Sequence, residues 1–381
     1  MIKVEQQNDE KERKLKFKII TPILSYGADN SSPRSVPEIR PTSIKGMMRY
    51  MFRIAQPTLG VEELLDFENK IFGDAKNKAS PVRLAVVEQA QPDFKPSQFL
   101  QHKKKGEKTS ISHNKNFAIR MILRPNHLQD LKYLNELKGK QPHELNEDEL
   151  KKFEKLKAEN LKGLNWYEEL LEISFLLIGL GLRSRKGRGR SCNKVYQSEE
   201  DLKCNVFKML QAISETADYR FEKDKDRIVF NGKSNVKRPF IEKIVFGKAK
   251  EKTWQKFFKS LDWASHDIKD ASNKENYYKD AIKSSMIEKD KHQFRRNSRE
   301  RNWKFHATGD SSPPFASSII VGCAQIGKKI LPIYTYVRPA LFVEEKLMKN
   351  GKEVKIPHLC RLDANNELST FIEKFEMRWN S

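Results

Sequence analysis

The stretch from Gly179 to Arg190 combines residue types that suit contact with phosphate groups. Its sequence, GLGLRSRKGRGR, contains four glycines and five lysine or arginine residues. Glycine allows close backbone approach, whereas the arginine guanidinium presents a planar set of donors to phosphate oxygens. The pattern predicts a loop that lies against a polyanion. A basic surface turn that holds no ligand is the alternative interpretation.

Two common nucleotide-binding loops do not fit this stretch. It lacks the Gly-Lys-Ser/Thr sequence of a P-loop, and it follows an apolar helical segment, whereas the dinucleotide-binding glycine motif begins a helix. An RNA or DNA backbone is therefore the better ligand. The charge of the 381-residue chain agrees, because 73 Lys/Arg against 51 Asp/Glu give a formal net charge of +22. Such an excess favours an acidic partner.

Other kinds of site and partner find little support in the sequence. Four cysteines occur without a Cys-x-x-Cys pair, and the eight histidines show no ligand spacing, so we expect neither a metal site nor a cofactor. No apolar run approaches the ~20 residues of a membrane-spanning helix, and the N-terminus lacks the apolar core of a signal peptide. We therefore expect a cytoplasmic protein without a membrane partner.

A helix with a basic face is predicted to begin at a cap formed by Thr42 or Ser43 and to continue to about Ala55. The PTS sequence after Arg40 supplies a threonine or serine that can cap its first turn. Lys45, Arg49 and Arg53 recur every four residues and form a basic stripe. Lysine in the first turn lies where the helix dipole already favours a phosphate. The alternative for the stripe is an exposed face paired with acidic residues elsewhere.

The order of elements in the first half predicts a ferredoxin-like unit. Alternating or apolar strands and helices follow one another as a strand at 15–19, a helix at 42–55, strands at 81–88 and 117–123, a helix at 166–178 and a strand at 191–196. This β-α-β-β-α-β order is shared with RNA-recognition domains. A charged, helix-favouring segment at about 126–160 is predicted to be a solvated helical insertion, with a simple exposed spacer as the alternative.

The second half predicts a second, degenerate unit of the same kind. Strands are predicted at 227–230, 240–247, 315–322 and 328–337, the last two as a hairpin, and helices at 250–263 and 366–379. The expected fold class is α+β with tandem ferredoxin-like (RRM-like) domains at 1–200 and 201–381. Between Lys283 and Lys304, basic residues alternate with Phe294 and Trp303, which suits single-stranded nucleic acid or a basic helix with two core aromatics.

Three segments resemble the RAMP superfamily of CRISPR proteins. Gly27 to Arg53 is similar to the family's N-terminal motif, in which a strand and loop lead into an Arg-Pro-x-Ser-x-Lys-Gly helix start. Ile71 to Val87 follows at a similar spacing, and the loop from Gly179 to Gly189 matches the family's glycine-rich loop in kind and place. The likeness covers about the first 195 residues, and SSPPFASSII at 311–320 resembles a weaker second-half motif.

The resemblance implies a function in RNA-guided defence. It implies a pair of ferredoxin-like domains, binding of guide RNA, and assembly with the other subunits of a type III-B effector that recognises target RNA. The RNA-contacting residues implied are Arg40, Lys45, Gly46, Arg49, Arg183, Arg185, Lys186, Arg188 and Arg190, and the helical stripe adds Arg53. In this chain Arg188 replaces the bulky residue that the family often has between the last two glycines.

A catalytic role is the less favoured hypothesis. Asp29 lies in a loop where a related subunit uses an aspartate in metal-dependent RNA cleavage, but Glu38 is the only acid near it. His113 or His306 could act as a general base in metal-free cleavage, as in the superfamily's repeat-processing endoribonuclease. Asp29 as a turn former is the simpler interpretation. We expect a non-catalytic binding subunit, with a RAMP-family endoribonuclease of guide precursor or target RNA as the alternative.

Overall fold

The computed structural model describes most of the chain. The residues it describes are 11–27, 35–74, 78–98, 107–215, 218–236, 238–266, 286–287, 319–338, 347–349, 352–354, 360–361 and 364–381. They form an α+β protein with antiparallel sheets. The basic segment 283–304 lies outside the described residues, apart from the backbone of 286–287.

The first sheet has four antiparallel strands. One of its two inner strands, β1 (Glu12–Ile19), is the alternating strand predicted from the sequence. The elements of this half are β1 (Glu12–Ile19), α1 (Pro41–Ile54), α2 (Val61–Phe72), β2 (Val82–Glu88), β3 (Asp93–Gln98), β4 (Glu107–Ser110), β5 (Asn116–Leu123), α3 (Pro125–Lys138), α4 (Glu147–Ala158), α5 (Leu164–Leu177) and β6 (Ser191–Cys192). The strand order is β2-β5-β1-β6. Along β1, Leu15, Phe17 and Ile19 are buried while the lysines between them are exposed, so one face of the strand meets the core.

Helix α5 covers that buried face. The Phe175 ring lies 4.8 Å from the ring of Phe17 and 5.7 Å from that of Phe117, measured between centroids. Almost every side chain of α5 is buried, including Leu170 and Leu177, because α1 and α6 also pack against it. The apolar helix predicted before the glycine-rich loop is thus confirmed. It ends at the loop, so the core fixes where the loop begins.

The charged insertion forms two helices, as predicted, but it is only partly solvated. Asn146 caps α4 by accepting a hydrogen bond from the backbone N–H of Glu149 at 2.9 Å. In α3, however, Leu131, Leu134 and Leu137 are buried. The insertion therefore packs on the protein through an apolar edge and is more than an exposed spacer.

The second half builds a five-stranded antiparallel sheet. Its elements are α6 (Glu199–Ile213), β7 (Tyr219–Glu222), β8 (Arg227–Phe230), β9 (Phe240–Phe246), α7 (Trp254–His266), β10 (Met286–Ile287), β11 (Ile319–Ile326), β12 (Lys329–Arg338), β13 (Leu347–Lys349), β14 (Lys352–Val354), β15 (Cys360–Arg361) and α8 (Ala364–Asn380). The sheet order is β11-β12-β9-β8-β7. The predicted hairpin exists, and its first strand continues four residues beyond the predicted end at 322, to Ile326. Among the described residues, no α-helix lies between β7 and β9, in agreement with the predicted succession of strands at 227–230 and 240–247.

Packing continues across residue 200 between the two halves. One cluster of buried apolar residues includes side chains from both sheets. The backbone of Gly322 in β11 lies against α5, where a Cβ on this glycine would be 2.4 Å from the carbonyl oxygen of Leu176. Within the described ranges, no helix has the length and apolar character needed to cross a bilayer.

Candidate nucleic-acid interface

The glycine-rich loop, residues 179–190, has backbone angles that favour glycine. Gly181 and Gly189 have φ values of 89° and 72°. A Cβ on Gly181 would lie 2.4 Å from the carbonyl oxygen of Leu24, and one on Gly189 would lie 2.0 Å from that of Leu180. Both positions therefore need glycine for backbone angle and for space. The glycines allow the loop to lie directly against the segment that follows β1.

Backbone hydrogen bonds attach the loop to this segment. The Leu182 N–H donates to the Leu24 carbonyl at 2.8 Å, and the Gly189 N–H donates to the Pro22 carbonyl at 3.0 Å. The Thr21 hydroxyl donates to one loop carbonyl at 2.7 Å and accepts from a loop N–H at 3.0 Å. The loop is therefore a fixed part of the first sheet's edge.

Arg190 supports the loop from inside the protein. Its side chain is completely buried, and its Nη2 donates to the carbonyls of Ser184 at 2.9 Å and Val321 at 2.7 Å. Burial lowers the pKa of Arg190 to about 9. The predicted RNA contact of Arg190 does not agree with this position, because its guanidinium already joins the loop to β11 and is not exposed to a ligand.

Arg188 is also buried, on the side of the loop that faces α7. Only 5% of the residue is exposed, and its guanidinium lies 4.2 Å from the centroid of the Phe258 ring. Burial lowers the pKa of Arg188 to about 10, while the negative charge of Asp262 opposes that shift. Asp262 acts in the same direction on Arg183, which is half-buried. Arg188 packs against α7 and, like Arg190, is a support of the loop.

Arg185 connects the loop to α1. Its guanidinium donates to the Tyr50 hydroxyl and lies 5.1 Å from the centroid of the Tyr50 ring. The backbone carbonyl of Arg185 accepts from the N–H of Val321 at 3.0 Å, and the next residue, Lys186, bridges to the same strand. Burial raises the pKa of the Tyr50 hydroxyl. The half-buried Arg185 is thus held between β11 and the helix.

A groove of about 450 Å³ lies where the loop meets the start of α1. We call it the loop groove; its lining comes from residues 24–27, from Arg40, Ser43, Met47 and Tyr50, and from loop residues 178–182, 184 and 185. Among the described residues that line it, Arg40 and Arg185 carry charge and none is acidic. The structure therefore brings the predicted loop and helix start together.

The start of α1 lies beside this groove, and neither Thr42 nor Ser43 caps it as predicted. Arg40 is the N-cap residue with an extended backbone, Pro41 occupies the first helical position, and no side chain caps the helix. The first turn of a helix has backbone N–H groups without intrahelical partners and a positive dipole end. Arg40 itself pairs with Glu38 at 3.4 Å at the surface. Gly46 is exposed, and a Cβ there would meet nothing within 4 Å.

The predicted basic stripe of α1 lies on a different face from the loop groove. The Lys45 Nζ donates to the Ser80 hydroxyl at 2.7 Å, and burial lowers its pKa. Arg49 and Arg53 both form ion pairs with Glu68, whose side chain is only 2% exposed. The alternative stated for this stripe, pairing with an acidic residue, is therefore what the structure shows for both arginines.

The face of α1 that lines the groove was not predicted from the sequence as part of the site. Ser43, Met47 and Tyr50 lie at positions i, i+4 and i+7, which place them on one side of a helix. This spacing can be recognised in the sequence, but only the neighbouring basic stripe was predicted to face the RNA. Tyr26, from the segment after β1, also lines the groove.

Of the three candidate catalytic residues, the structure describes only His113. Asp29 and His306 lie outside the described residues. His113 packs its ring 5.4 Å from that of Trp254 and does not line the loop groove, and burial lowers its pKa. In the described part of the chain, no group of three His, Cys, Asp or Glu side chains is placed to hold a metal ion.

Comparisons with known proteins identify relatives of this chain. Residues 16–193 match the model of the RAMP superfamily. The chain is 42% identical over 72 residues to the CRISPR system Cmr subunit Cmr1-2 of Pyrococcus furiosus. That alignment covers 18% of this chain and 36% of the relative, so it spans about a third of the relative's length.

Two solved structures are similar along nearly the whole chain. Cmr1 from Pyrococcus furiosus, in its apo form, is 15% identical with a TM-score of 0.47, and the match covers 94% of this chain and 96% of that one. A chain of the type III-B Cmr-beta complex bound to cognate target RNA and AMPPnP is 14% identical with a TM-score of 0.45, covering 97% and 99%.

Proposed function

We propose that the protein is a guide-RNA-binding and assembly subunit of a type III-B CRISPR effector, and the match of residues 16–193 to the RAMP-superfamily model supports this proposal. It acts in the cytoplasm beside the other effector subunits, near the 3′ end of the guide and close to the target RNA. It binds RNA without cleaving it. This role agrees with the motif from Gly27 to Arg53 and with the excess positive charge of the chain.

The loop groove is the observation that carries the proposal. Arg40 and Arg185 supply cations on its two sides, and the uncapped start of α1 adds the positive end of a helix dipole. Tyr50, which is half-buried, supplies an aromatic ring beside Arg185. Cations that hold phosphates and rings that stack on bases are the combination that single-stranded RNA needs.

Each predicted contact residue takes one of four roles under this proposal. Arg40, Gly46 and Arg185 meet the RNA directly, and Arg183 and Lys186 flank it. Arg188 and Arg190 hold the loop from within. Lys45, Arg49 and Arg53 lie beside the groove on the next face of α1, where their cations attract the strand while bound to Ser80 and Glu68.

The order of the first sheet supports a ferredoxin-like fold for residues 1–200. Counting only the four strands of this sheet in chain order, their spatial order is second-third-first-fourth, with α1 after the first strand and α5 after the third. We assign residues 201–381 to a second domain of the same class in degenerate form. The shared core between the two then makes them one structural body.

Binding and cleavage assays with purified protein test the proposed function. Labelled single-stranded guide RNA is titrated with and without Mg²⁺ against wild type, Arg40→Ala and Arg185→Ala. Each variant should bind about fivefold more weakly at about 0.1 M salt, as expected for the loss of one phosphate contact. Lys223→Ala is the control, because this exposed lysine pairs with Glu200 in the second half.

The same assays separate binding from catalysis. The proposal expects intact RNA in every reaction and an unchanged affinity for Lys223→Ala. RNA cleavage that disappears in Asp29→Ala or His306→Ala would instead identify an endoribonuclease.

A further inference from the structure

A second cavity, of about 630 Å³, lies between the helical insertion and the turn that precedes β2. We call it the insertion cavity. Its charged lining consists of five Lys/Arg side chains and two carboxylates: Lys70, Lys78, Arg124, Lys152, Lys155, Asp130 and Glu159. The cavity is therefore cationic overall. None of the residues predicted to bind RNA lines it.

Three of these cations have no acidic partner among the residues that the structure describes. Within the described ranges, Arg124, Lys152 and Lys155 form no ion pair with a carboxylate. The Arg124 Nε donates to the Ser80 carbonyl at 2.7 Å, and the Lys152 Nζ lies 3.9 Å from the centroid of the Tyr133 ring. A cavity with several unneutralised cations attracts an anionic ligand more strongly than a flat surface does.

Two other cations of the cavity already have acidic partners. Lys78 forms an ion pair with Glu159, and Lys70 forms one with Asp66 at 2.7 Å. These pairs fix side chains at the cavity edge. The remaining charged side chains of the lining are Arg124, Lys152, Lys155 and Asp130, so cations outnumber carboxylates there as well.

The helix that opens on this cavity begins in the same way as α1. Arg124 is the N-cap of α3 with an extended backbone, Pro125 occupies the first helical position, and no side chain caps the helix. Arg40 and Pro41 have the same positions in α1. Both helix starts therefore combine an arginine with open N–H groups, and each lies at one of the two cavities.

Ser80 connects the two sites. Its hydroxyl accepts a hydrogen bond from the Lys45 Nζ at 2.7 Å, and its carbonyl accepts one from the Arg124 Nε at 2.7 Å. Lys45 lies in the first turns of α1, whose other face lines the loop groove at Ser43. A line of cations thus leads from the groove across the start of α1 to the insertion cavity.

We infer that the insertion cavity binds the sugar–phosphate backbone of a single RNA strand that also passes through the loop groove. This inference rests on the proposed function. Backbone recognition fits the lining, since lysine and arginine side chains hold phosphates without reading base sequence. The lining comes largely from α3 and α4, so a folded acidic protein surface would have to fit between two helices, whereas one extended strand needs less width.

The test uses oligouridines graded from about 4 to about 16 nucleotides, a range typical of single-strand binding sites. Full-length wild type is compared with Lys152→Ala/Lys155→Ala, whose lysines line the cavity. The matched control is Lys151→Ala/Lys157→Ala, which removes two exposed lysines from the same helix outside that lining. Thermal unfolding of all three proteins verifies that the helix remains intact.

The cavity variant should bind the shortest oligouridines as wild type does and the longest about 25-fold more weakly at about 0.1 M salt. Its salt slope for long RNA should be smaller by about 1.4, which corresponds to two lost phosphate contacts. The control should match wild type at every length.

Equal affinities of the cavity and control variants at all lengths would overturn this inference while leaving the loop groove in place. The inference would also be wrong if Lys152→Ala/Lys155→Ala weakened the binding of poly-glutamate and left the affinity for oligouridines unchanged. Absence of RNA binding by wild type would overturn the proposed function and this inference together.

Discussion

Arginines that are close neighbours in the sequence have different roles in this structure. Arg185 lines the loop groove, whereas Arg190, five residues later, is completely buried and bonded to the carbonyl of Val321. The sequence predicts that both lie in one basic loop, but it does not reveal that β11 packs on one side of that loop. A role that depends on a contact between residues so far apart in the chain cannot be predicted from the spacing of neighbouring residues.

Glu172 is a second residue whose role depends on the fold, and it makes stability depend on pH. This carboxyl is buried in α5 and accepts from the N–H of Asn193 at 2.9 Å and the hydroxyl of Tyr196 at 2.8 Å. Burial raises the pKa of Glu172 from the ordinary 4.5 to about 7. Its protonated form is therefore favoured by folding, and that stabilisation is fully present below about pH 4.5 and lost as pH rises through 7.

We predict that Glu172→Gln removes this pH dependence. Wild type should lose up to about 3 kcal/mol in free energy of unfolding between pH 4.5 and 7 through this group, and the variant should not. Urea unfolding at a series of pH values measures the difference. Glu63→Gln, an exposed substitution on α2, is the control. Parallel pH profiles for wild type and Glu172→Gln would contradict the assignment.

At the scale of elements, α1 contains a glycine at an interior position where glycine does not stabilise a helix. Gly46 is exposed, and a methyl group there would meet no atom within 4 Å. Alanine in place of glycine inside a helix stabilises it by up to about 1 kcal/mol. The glycine is explained if a strand of RNA approaches the helix backbone closely.

We predict opposite effects of Gly46→Ala on stability and on binding. The free energy of unfolding should rise by up to about 1 kcal/mol, while affinity for single-stranded RNA should fall, because the methyl group occupies space needed by the strand. Urea unfolding and RNA titration measure the two effects. Gly60→Ala, at another position where a Cβ meets nothing, should leave RNA binding unchanged. Unaltered RNA affinity in Gly46→Ala would remove α1 from the interface.

Periodic patterns predicted the first-half elements well, and the reason is physical. In β1 the alternation of lysines with Leu15, Phe17 and Ile19 allows only one face to meet the core. The packing of the insertion was harder to predict, since its apolar edge consists of a few leucines within a charged helix. The end of β11 was predicted too early, because this strand stays paired with β12 as far as Ile326.

At the scale of the whole molecule, the net charge predicts a polyanionic partner but does not indicate where on the surface it binds. The +22 charge favours a polyanion wherever the cations lie. Only the fold shows that α1 separates two cationic cavities and that Arg49 and Arg53 are occupied by Glu68. The joining of the two halves through α5 and β11 likewise depends on contacts between residues far apart in the chain.

The salt dependence of RNA binding tests the central claim most directly. Wild type is compared with Arg183→Ala/Arg185→Ala/Lys186→Ala and with a control triple variant, Lys223→Ala/Lys225→Ala/Lys233→Ala, that removes three exposed lysines from the second half. If the loop groove holds the strand, the loop variant should bind single-stranded RNA more weakly, and its salt slope should be smaller by about 0.7 for each lost phosphate contact, while the control keeps the wild-type slope. Identical affinities and slopes for the loop variant and wild type would contradict the account.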